Sequence, residues 1–373
     1  MSKLEELIQE FCPNGVPVKT LGEVENQGIL TLGRGKVISK DELRNCPGDY
    51  PVYSSSANGD GEIGRYGKYM FDDERITWSI DGGGKLFYRN AARYSVTNVG
   101  GWIKVNSTAL NTKFLYYTLI NQWTKMKFDY TKKAHPSVIR DIYNIYLPPL
   151  AVQQEIVRIL DSFTELTAEL AAELAARRRQ YEHYRDELLT FGEDVQRRKL
   201  VDSCDICRGI RVVRKQLNNS GRYPVFQNSL SPLGFYEKAN CRANTTFIIT
   251  AGAAGSLGYS STEFWAADDC YFFECARDVI LDKFLFYALD SQQERILGMV
   301  RKASIPRLGR SSIENLSIPI PPLPVQERIV SILDSFSAIC NNLIFGLPAE
   351  IAARQKQYEY YRDKLLTFKE LER

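Results

Sequence analysis

The sequence predicts an α+β protein made of two homologous halves, each a globular α/β part followed by a long helix. Three observations lead to this prediction. A repeat recurs after about 175 residues, the most similar segments have helical periodicity, and short β-prone runs separated by turns fill the rest. A period of this length is far too long for a solenoid unit. We therefore expect a pseudo-twofold cyclic repeat in which the two long helices pair as an antiparallel coiled coil.

The N-terminal residues 2–11 are predicted to form a short amphipathic helix, because their apolar residues recur at helical spacing. The end of this segment is similar to 188–191 and to 365–368, where the two long helices end. The chain is thus predicted to be a two-part cycle that is cut once. Its N-terminal piece would continue from the point where the last helix stops.

The first globular part, residues 19–146, contains short β-prone runs such as 50–53, 76–80 and 94–97, separated by Asn-Gly, Asp-Gly and Gly-Gly turns. One helix is predicted from Asn111 to Asn121. The second half repeats this plan with weaker identity, as in Tyr223-Pro224-Val225-Phe226, which matches the run 50–53. Such divergence suggests that the globular parts have different targets.

Each globular part is followed by a proline pair, at 148–149 and at 321–322, and then by an apolar stripe at spacings of three and four. The segments 172–191 and 349–368 are identical at 15 of 20 positions. The first stripe predicts a helix of about 40 residues, or roughly 60 Å. Because so long a surface helix rarely stands alone, we expect the other copy to be its partner. The insertion Gly346-Leu347-Pro348 predicts a stop and restart in the second helix.

Before Pro148 and Pro321 the chain is basic, and we match Lys132-Lys133-Ala134 with Arg301-Lys302-Ala303. The net charge of +3 is only mildly basic, so the clustering of charge matters more than the total. Basic runs occur at 125–140, 197–215 and 295–310. Three such runs, two of them at equivalent places in the repeat, favour a surface that binds along the phosphate backbone of a nucleic acid.

Sequence signals for catalysis and for metal binding are weak. The chain has two histidines, and its eight cysteines are irregularly spaced, which is typical of reduced thiols. Cys204 and Cys207 form a single pair without a second pair at zinc-finger spacing, and 81–85 lacks the spacing of a phosphate-binding loop. There is no base-flipping tetrapeptide, signal peptide or membrane span. We expect a cytoplasmic protein that binds and positions other molecules, with no metal and no cofactor of its own.

These motifs resemble one family closely: the specificity subunit of type I restriction–modification enzymes. The resemblance rests on the proline pair with the Val-Gln-x-x-Ile-Val-x-Ile-Leu-Asp-x-Phe run, on the Tyr-x-x-Tyr-Arg-Asp-x-Leu-Leu block, and on the cyclic layout. It implies target recognition domains at 1–146 and 192–319 and helical spacers at 147–191 and 320–373. The repeat Thr167-Ala168-Glu169-Leu170, then Ala171-Ala172-Glu173-Leu174, is similar to the tetrapeptide repeat of one subgroup.

By this resemblance the chain reads a bipartite double-stranded DNA target without catalysing a reaction itself. Two methylation subunits would dock on the helices and restriction/translocase subunits would join them, and these partners would use S-adenosylmethionine, ATP and Mg. The residues expected to contact DNA are Arg34, Lys36, Ser55, Asn58, Lys132, Lys133, His135, Arg208, Arg211, Gln227, Asn228, Arg301, Lys302 and Arg307. A specificity subunit of another restriction class, or a coiled-coil scaffold without DNA, remains an alternative.

Overall fold

The computed structural model describes residues 3–55, 59–106, 108–128, 133–218, 221–341 and 346–371. The chain divides into two compact units: unit 1 comprises residues 1–169 and 351–373, and unit 2 comprises 170–350. No helix within the described ranges combines the length and the apolar character that a membrane crossing requires.

The elements of the first half run from the N-terminal helix to the first long helix. They are α1 (Lys3–Phe11), β1 (Val18–Thr20), α2 (Leu21–Asn26), β2 (Leu30–Arg34), α3 (Lys40–Asn45), β3 (Tyr50–Tyr53), β4 (Glu62–Tyr66), β5 (Arg75–Ser79), β6 (Leu86–Arg89), β7 (Ser95–Val96), β8 (Gly100–Val105), α4 (Thr112–Trp123), α5 (Pro136–Ile142), β9 (Asn144–Tyr146) and α6 (Leu150–Leu188).

The second half repeats this order up to its own long helix, which is built in two pieces. Its elements are β10 (Arg197–Lys199), β11 (Cys204–Arg208), β12 (Tyr223–Phe226), β13 (Gly234–Tyr236), β14 (Thr245–Ile249), β15 (Leu257–Ser260), β16 (Trp265–Ala266), β17 (Cys270–Cys275), α7 (Asp282–Asp290), α8 (Gln293–Gly298), α9 (Arg310–Glu314), β18 (Ser317–Pro319), α10 (Leu323–Asn341) and α11 (Leu347–Leu365).

Both units have the same three sheets. Unit 1 has a four-stranded antiparallel sheet ordered β2-β8-β5-β6, a three-stranded sheet β4-β3-β7 and the pair β1-β9. Unit 2 has the corresponding orders β11-β17-β14-β15, β13-β12-β16 and β10-β18. In both three-stranded sheets one pair is antiparallel and the other parallel. The predicted mixed fold with an internal repeat is therefore confirmed.

The predicted elements agree well with those observed. The run 50–53 is β3, and the helix predicted from Asn111 is α4, which begins one residue later because the Asn111 side chain caps it by accepting a hydrogen bond from the Phe114 N–H at 3.0 Å. The first long helix has 39 residues, and α11 begins at Leu347, within the segment where a restart was predicted.

The long helices pack against one another within each unit. In unit 1, Phe163 of α6 stacks on Tyr361 of α11, with ring centroids 5.5 Å apart. In unit 2, Tyr184 of α6 contacts Phe336 of α10 at the same distance. Phe163 and Phe336 are repeat equivalents, as are Tyr184 and Tyr361. The two contacts are therefore reciprocal versions of one interaction, and the expected pairing of the two copies is present.

The first turn of each long helix is fixed by a fully buried glutamine. In unit 1 the Gln153 amide accepts a hydrogen bond from the Asn111 N–H at 2.8 Å and donates to the Ala109 and Pro148 carbonyls at 2.8 and 2.7 Å. In unit 2 Gln326 makes the same three bonds, to the Leu281 N–H and to the Val279 and Pro321 carbonyls, at 2.8–2.9 Å. Each side chain thus ties its long helix to the start of an earlier helix, α4 in unit 1 and α7 in unit 2.

A tyrosine–aspartate pair adds a second link between the same helices. The Tyr117 hydroxyl donates to Asp161 at 2.6 Å, and the Tyr287 hydroxyl donates to Asp334. Burial, followed by the hydrogen bond to the carboxylate, raises the pKa of both phenols. The phenols therefore stay protonated and remain donors across the physiological pH range.

The two ends of the chain meet in unit 1. The Val16 N–H donates to the Lys369 carbonyl at 2.8 Å, and the Leu371 N–H donates to the Val16 carbonyl at 3.0 Å. Leu366, at the end of the last helix, belongs to the same buried core as Leu4 of α1. Its repeat equivalent Leu189 is buried in the core of unit 2. The end of each long helix therefore contributes to the core of the other half. This is the arrangement expected for two halves that follow one another in a circle, with the chain opened at one point.

One equivalence predicted from the sequence is wrong. Lys132-Lys133-Ala134 was matched with Arg301-Lys302-Ala303, but the backbone bonds give a different register. The Ala134 N–H donates to the carbonyl of Ile80, just after β5, and it is the Leu308 N–H that donates to the corresponding carbonyl of Thr250, just after β14. The structural equivalent of Lys133 is therefore Arg307. Residues 301–307 close on themselves through paired backbone bonds, and this extra loop misled the alignment by sequence.

We expect Gln153→Ala to destabilise unit 1 strongly. The change removes three hydrogen bonds, of which the one to the Pro148 carbonyl is buried, and an unsatisfied buried group costs about 1–3 kcal/mol. Gln154→Ala, on the exposed side of the same turn, is the matched control and should have little effect. Thermal and urea unfolding of the two variants measure the difference, and equal stability would contradict the role assigned to the buried amide.

A second prediction concerns Glu155, whose side chain is 4% exposed and pairs with Arg158 at 2.7 Å and with Lys3 of α1 at 3.0 Å. Hydrogen bonds from Arg158, and then from Lys3, lower its pKa from 4.5 to about 2 despite burial. Because the folded-state pKa lies below the unfolded one, this carboxylate stabilises the fold above pH 4.5, and the contribution is lost as the pH falls towards 2.

The variant Glu155→Gln should therefore be less stable than the parent at pH 7, and the difference should shrink as the pH is lowered from 4.5 to 2. Unfolding midpoints measured across this range decide the matter. A difference that does not change with pH would show that packing rather than charge is responsible.

Candidate nucleic-acid interface

Unit 2 contains an arginine-lined cleft at one end of its four-stranded sheet. The cleft has a volume of about 380 Å³ and is lined by four arginines, Arg208, Arg301, Arg307 and Arg310, together with Asp268 and Asp269. Three of these arginines were predicted from the sequence to contact DNA. Arg310 is paired with Glu314, so the other three arginines against two carboxylates leave an excess of positive charge in a concave site, which attracts phosphate.

The arginines reach the cleft from β11, from the closed loop 301–307 and from the start of α9. Arg208 ends β11, and its Nε donates to the carbonyl of Asp268 at 3.3 Å. Arg301 and Arg307 lie at the base of the closed loop, where the Arg301 N–H donates to the Arg307 carbonyl at 2.9 Å. The buried Leu308 then joins this loop to β14 through a bond of 2.9 Å to the Thr250 carbonyl. Both sides of the cleft are therefore anchored to the sheet.

Unit 1 places a related pair of cations on the equivalent framework. Arg34 ends β2, as Arg208 ends β11, and donates through Nε and Nη2 to the Asn98 carbonyl at 3.0 and 2.7 Å. Lys133 takes the place of Arg307, and its ammonium lies 3.0 Å from Asp81. The residue equivalent to Asp81 in unit 2 is Ala251. No carboxylate therefore stands beside Arg307 at the position from which Asp81 partly neutralises Lys133.

His135 lies at the first turn of α5, where its Nδ1 is 2.9 Å from the Ser137 hydroxyl and 3.4 Å from the Ser137 N–H. The imidazole thus caps the helix while the ring stays exposed. A capping role and a DNA contact through Nε2 are compatible.

The polar turns after β3 and β12 differ between the units. The Ser55 hydroxyl bonds the Ser79 hydroxyl at 2.6 Å and accepts from the Asp81 N–H at 2.9 Å, so it is engaged within its own turn. Its equivalent Asn228 is exposed, while Gln227 is half-buried. Gly252 (φ +82°) lies against this turn, and a Cβ there would come within 2.8 Å of the Asn228 carbonyl. The backbone is thus closely packed beneath an accessible amide side chain.

The other residues predicted to contact DNA are either exposed to solvent or lie outside the described residues. Lys36, Arg211 and Lys302 are exposed, and only the first is tied to a strand, through its backbone bond to the Val96 carbonyl at 3.0 Å. Asn58 and Lys132 lie outside the described residues.

Arg310 was missed as an individual candidate, although it closes the basic run 295–310. Its guanidinium pairs with Glu314 at 2.7 Å, and this hydrogen bond raises the pKa of the arginine. The sequence signal was the spacing of three between Arg307 and Arg310. That spacing identifies Arg310 as a neighbour of Arg307 in the cleft only when the backbone register of the loop 301–307 is known.

Nothing in the described part of the chain suggests a metal centre, since no three His, Cys, Asp or Glu side chains there are grouped to hold an ion. Comparison with known proteins then identifies the family. A sequence model described as "Type I restriction modification DNA specificity domain" matches residues 18–176 and again 192–353. The chain belongs to this family. As a type I specificity subunit, it is a non-catalytic component of a restriction–modification complex.

Individual relatives agree with this assignment. A putative type I specificity subunit of Mycoplasma pneumoniae is 30% identical over 355 residues, which cover 90% of this chain and 95% of that protein. The EcoR124I/EcoR124II specificity subunit of Escherichia coli is 33% identical over 244 residues, covering 59% and 60% of the two chains. The crystal structure of a type I S subunit from M. genitalium superposes with a TM-score of 0.66 at 17% identity, covering 94% and 96%, so the fold is shared.

The cleft yields a prediction about salt dependence. Each phosphate contact contributes about 0.9 to the slope of log K against log salt concentration. Arg307→Ala and Lys133→Ala should therefore each weaken duplex binding irrespective of sequence and flatten this slope by about 0.9. Binding titrations from low to moderate salt measure it.

The control is Arg277→Ala. Arg277 is ion-paired to Asp282 and follows β17 at the end of the sheet opposite the cleft, roughly 20 Å away for a strand of this length. Its loss should leave the slope unchanged. If all three variants behave alike, the cleft is not the phosphate-binding surface.

Proposed function

We propose that this chain recognises a bipartite double-stranded DNA sequence, with unit 1 and unit 2 each reading one half. The observation that carries the proposal is the recurrence of the cations at equivalent places of a repeated framework: Arg34 with Arg208, and Lys133 with Arg307. Unrelated surface charges would not follow the repeat. Family membership supports the same function, because the matching domain is named for DNA specificity.

Phosphate contacts by these cations would fix the register of each unit on the duplex, while sequence would be read at base edges. Asn228 and Gln227 are suited to adenine and an arginine of the cleft to guanine. The predicted contacts of Arg34, Lys36, Ser55, His135, Arg211 and Lys302 belong to this proposal, as do the domain boundaries at 146, 191 and 319. A scaffold without DNA is not favoured, because it gives no reason for cations at repeated positions.

The proposed partners are two methylation subunits that dock on the long helices and use S-adenosylmethionine, and restriction/translocase subunits that use ATP and Mg. Subunits of this family belong to restriction–modification complexes. The complex would work on DNA in the cytoplasm. The chain alone should transfer no methyl groups, and methylation should require the methylation subunit.

The tetrapeptides Thr167–Leu170 and Ala171–Leu174 make α6 the candidate element that sets the number of unread base pairs between the two half-sites. The division of the chain into two units falls within them, after Glu169, and their residues are exposed except for Thr167, Leu170 and Leu174, which are partly buried. One added unit of four residues lengthens the helix by roughly 6 Å, close to two base pairs of about 3.4 Å. Each added base pair also rotates the second half-site by about 35°, so we expect a gain of one base pair and at most two.

Mapping methylated adenines in cells that carry this chain and its methylation subunit tests the proposal. The parent should give a bipartite sequence, and insertion of a third Ala-Ala-Glu-Leu after Leu174 should preserve both halves while lengthening only the spacer. Methylation without sequence preference would refute the proposed function. Altered half-sites or an unchanged spacer in the insertion variant would refute only the role of α6 in setting the spacer length.

A further inference from the structure

Both units have the same tight turn where the last strand of the four-stranded sheet begins, at 97–100 before β8 and at 267–270 before β17. In each turn the N–H of the fourth residue donates to the carbonyl of the first, at 2.9 Å in unit 1 and 3.0 Å in unit 2. The second residue of the turn is Asn98 in unit 1 and Asp268 in unit 2. The two turns therefore share a backbone and present different side chains.

Two further hydrogen bonds hold the backbone of each turn in place. The carbonyl of the third residue accepts from the N–H that follows the central strand, that of Ile80 at 3.0 Å or of Thr250 at 2.7 Å. The carbonyl of the second residue accepts from the arginine that ends β2 or β11, from Arg34 at 2.7 Å and from Arg208 at 3.3 Å. Because these bonds use the backbone of the turn, the side chain of its second residue can change without moving it.

The carboxylate of Asp268 lacks a donor within the part of the chain that the structure describes. Asp268 lines the arginine-lined cleft and is half-buried, and its Oδ1 atom is buried from solvent without a hydrogen-bond partner there. A carboxylate in this state has lost part of its hydration on folding and has gained no bond in exchange. An N–H group brought by a ligand would therefore be bound with little further loss of water.

The chemistry of the two side chains selects different base edges. A carboxylate repels phosphate, so within a cleft that attracts DNA its partner has to be a donor on a base. In the major groove cytosine presents the N4 amino group as a donor, whereas the N6 amino group of adenine lies beside the acceptor N7, which repels a carboxylate. An asparagine amide, as in Asn98, can accept from N6 and donate to N7 of the same adenine. Asp268 thus favours cytosine, and Asn98 favours adenine.

We propose that the second residue of this turn determines specificity in each unit: Asp268 accepts from the N4 amino group of a cytosine in one half-site, and Asn98 binds an adenine in the other. This inference rests on the proposed function and names the base read at one position of each half. The guanidinium of Arg208 is exposed and is fixed on the Asp268 carbonyl, so it lies next to the guanine that pairs with this cytosine. A single G·C pair thus satisfies both side chains of unit 2.

The test measures duplex binding by the full chain, purified with its methylation subunit, on DNA randomised in one half-site at a time. At one position of the unit 2 half-site the parent should prefer G·C over A·T by about tenfold, the discrimination typical of a base contact. Asp268→Asn should transfer this preference to A·T and leave every other position unchanged. The reverse change, Asn98→Asp, should replace an A·T pair by a G·C pair in the other half-site.

Asp269→Asn is the matched control, because it removes the same charge from the next residue of the same turn, which lines the same cleft. It should alter the affinity for all sequences alike and preserve the base preference. Loss of the G·C preference at one position in Asp268→Asn, with or without a gain for A·T, supports the assignment. An unchanged preference in Asp268→Asn, or the same change in the control, overturns it. A parent complex that selects no bipartite sequence refutes the proposed function, whereas bipartite selection that both Asp268→Asn and Asn98→Asp leave unchanged defeats this inference alone.

Discussion

The buried amides of Gln153 and Gln326 are the constraint on which the rest of the structure depends. Each is fully buried and makes three hydrogen bonds that join the start of a long helix to the start of α4 or of α7. A buried amide must satisfy both its acceptor and its donors, so it fixes position and rotation together. The identical residues around it in both copies follow from that demand, because a small shift would leave several polar groups unpaired.

Because the helices are fixed in this way, the framework can stay the same while the loops diverge. Arg34 and Arg208 end equivalent strands and donate to equivalent carbonyls. The turns beside them differ, with Ser55 bonded internally and Asn228 exposed. Rigid strands that carry variable loops are the usual arrangement for recognition, since loop changes cost little stability. The cations therefore occupy equivalent positions in both units, whereas the groups around them differ.

The fold followed from the sequence wherever a local signal was strong. Apolar periodicity gave α6, the apolar residues between Phe114 and Ile120 gave α4, and Gly346 with Pro348 gave the restart at Leu347. The candidate site was only partly predictable, because Arg208, Arg301 and Arg307 are separated by up to about a hundred residues and meet only through sheet pairing. The wrong match of Lys133 with Lys302 has the same origin. Register in a loop is set by backbone bonds such as that of Leu308 to Thr250, and residue type does not reveal them.

The asymmetry of the two units bears on the target itself. Two identical readers related by a twofold repeat would recognise two identical half-sites, as symmetric dimers do. Here the acidic Asp81 beside Lys133 is replaced by Ala251 beside Arg307, and Asp268 and Asp269 stand where unit 1 has Asn98 and Val99. These changes alter the charge and the hydrogen-bonding groups at equivalent points of the two surfaces. The polar turns proposed to read bases differ as well, with Ser55 bonded internally and Asn228 exposed, so we infer that the two halves of the recognised sequence differ and that the complex has a direction on DNA.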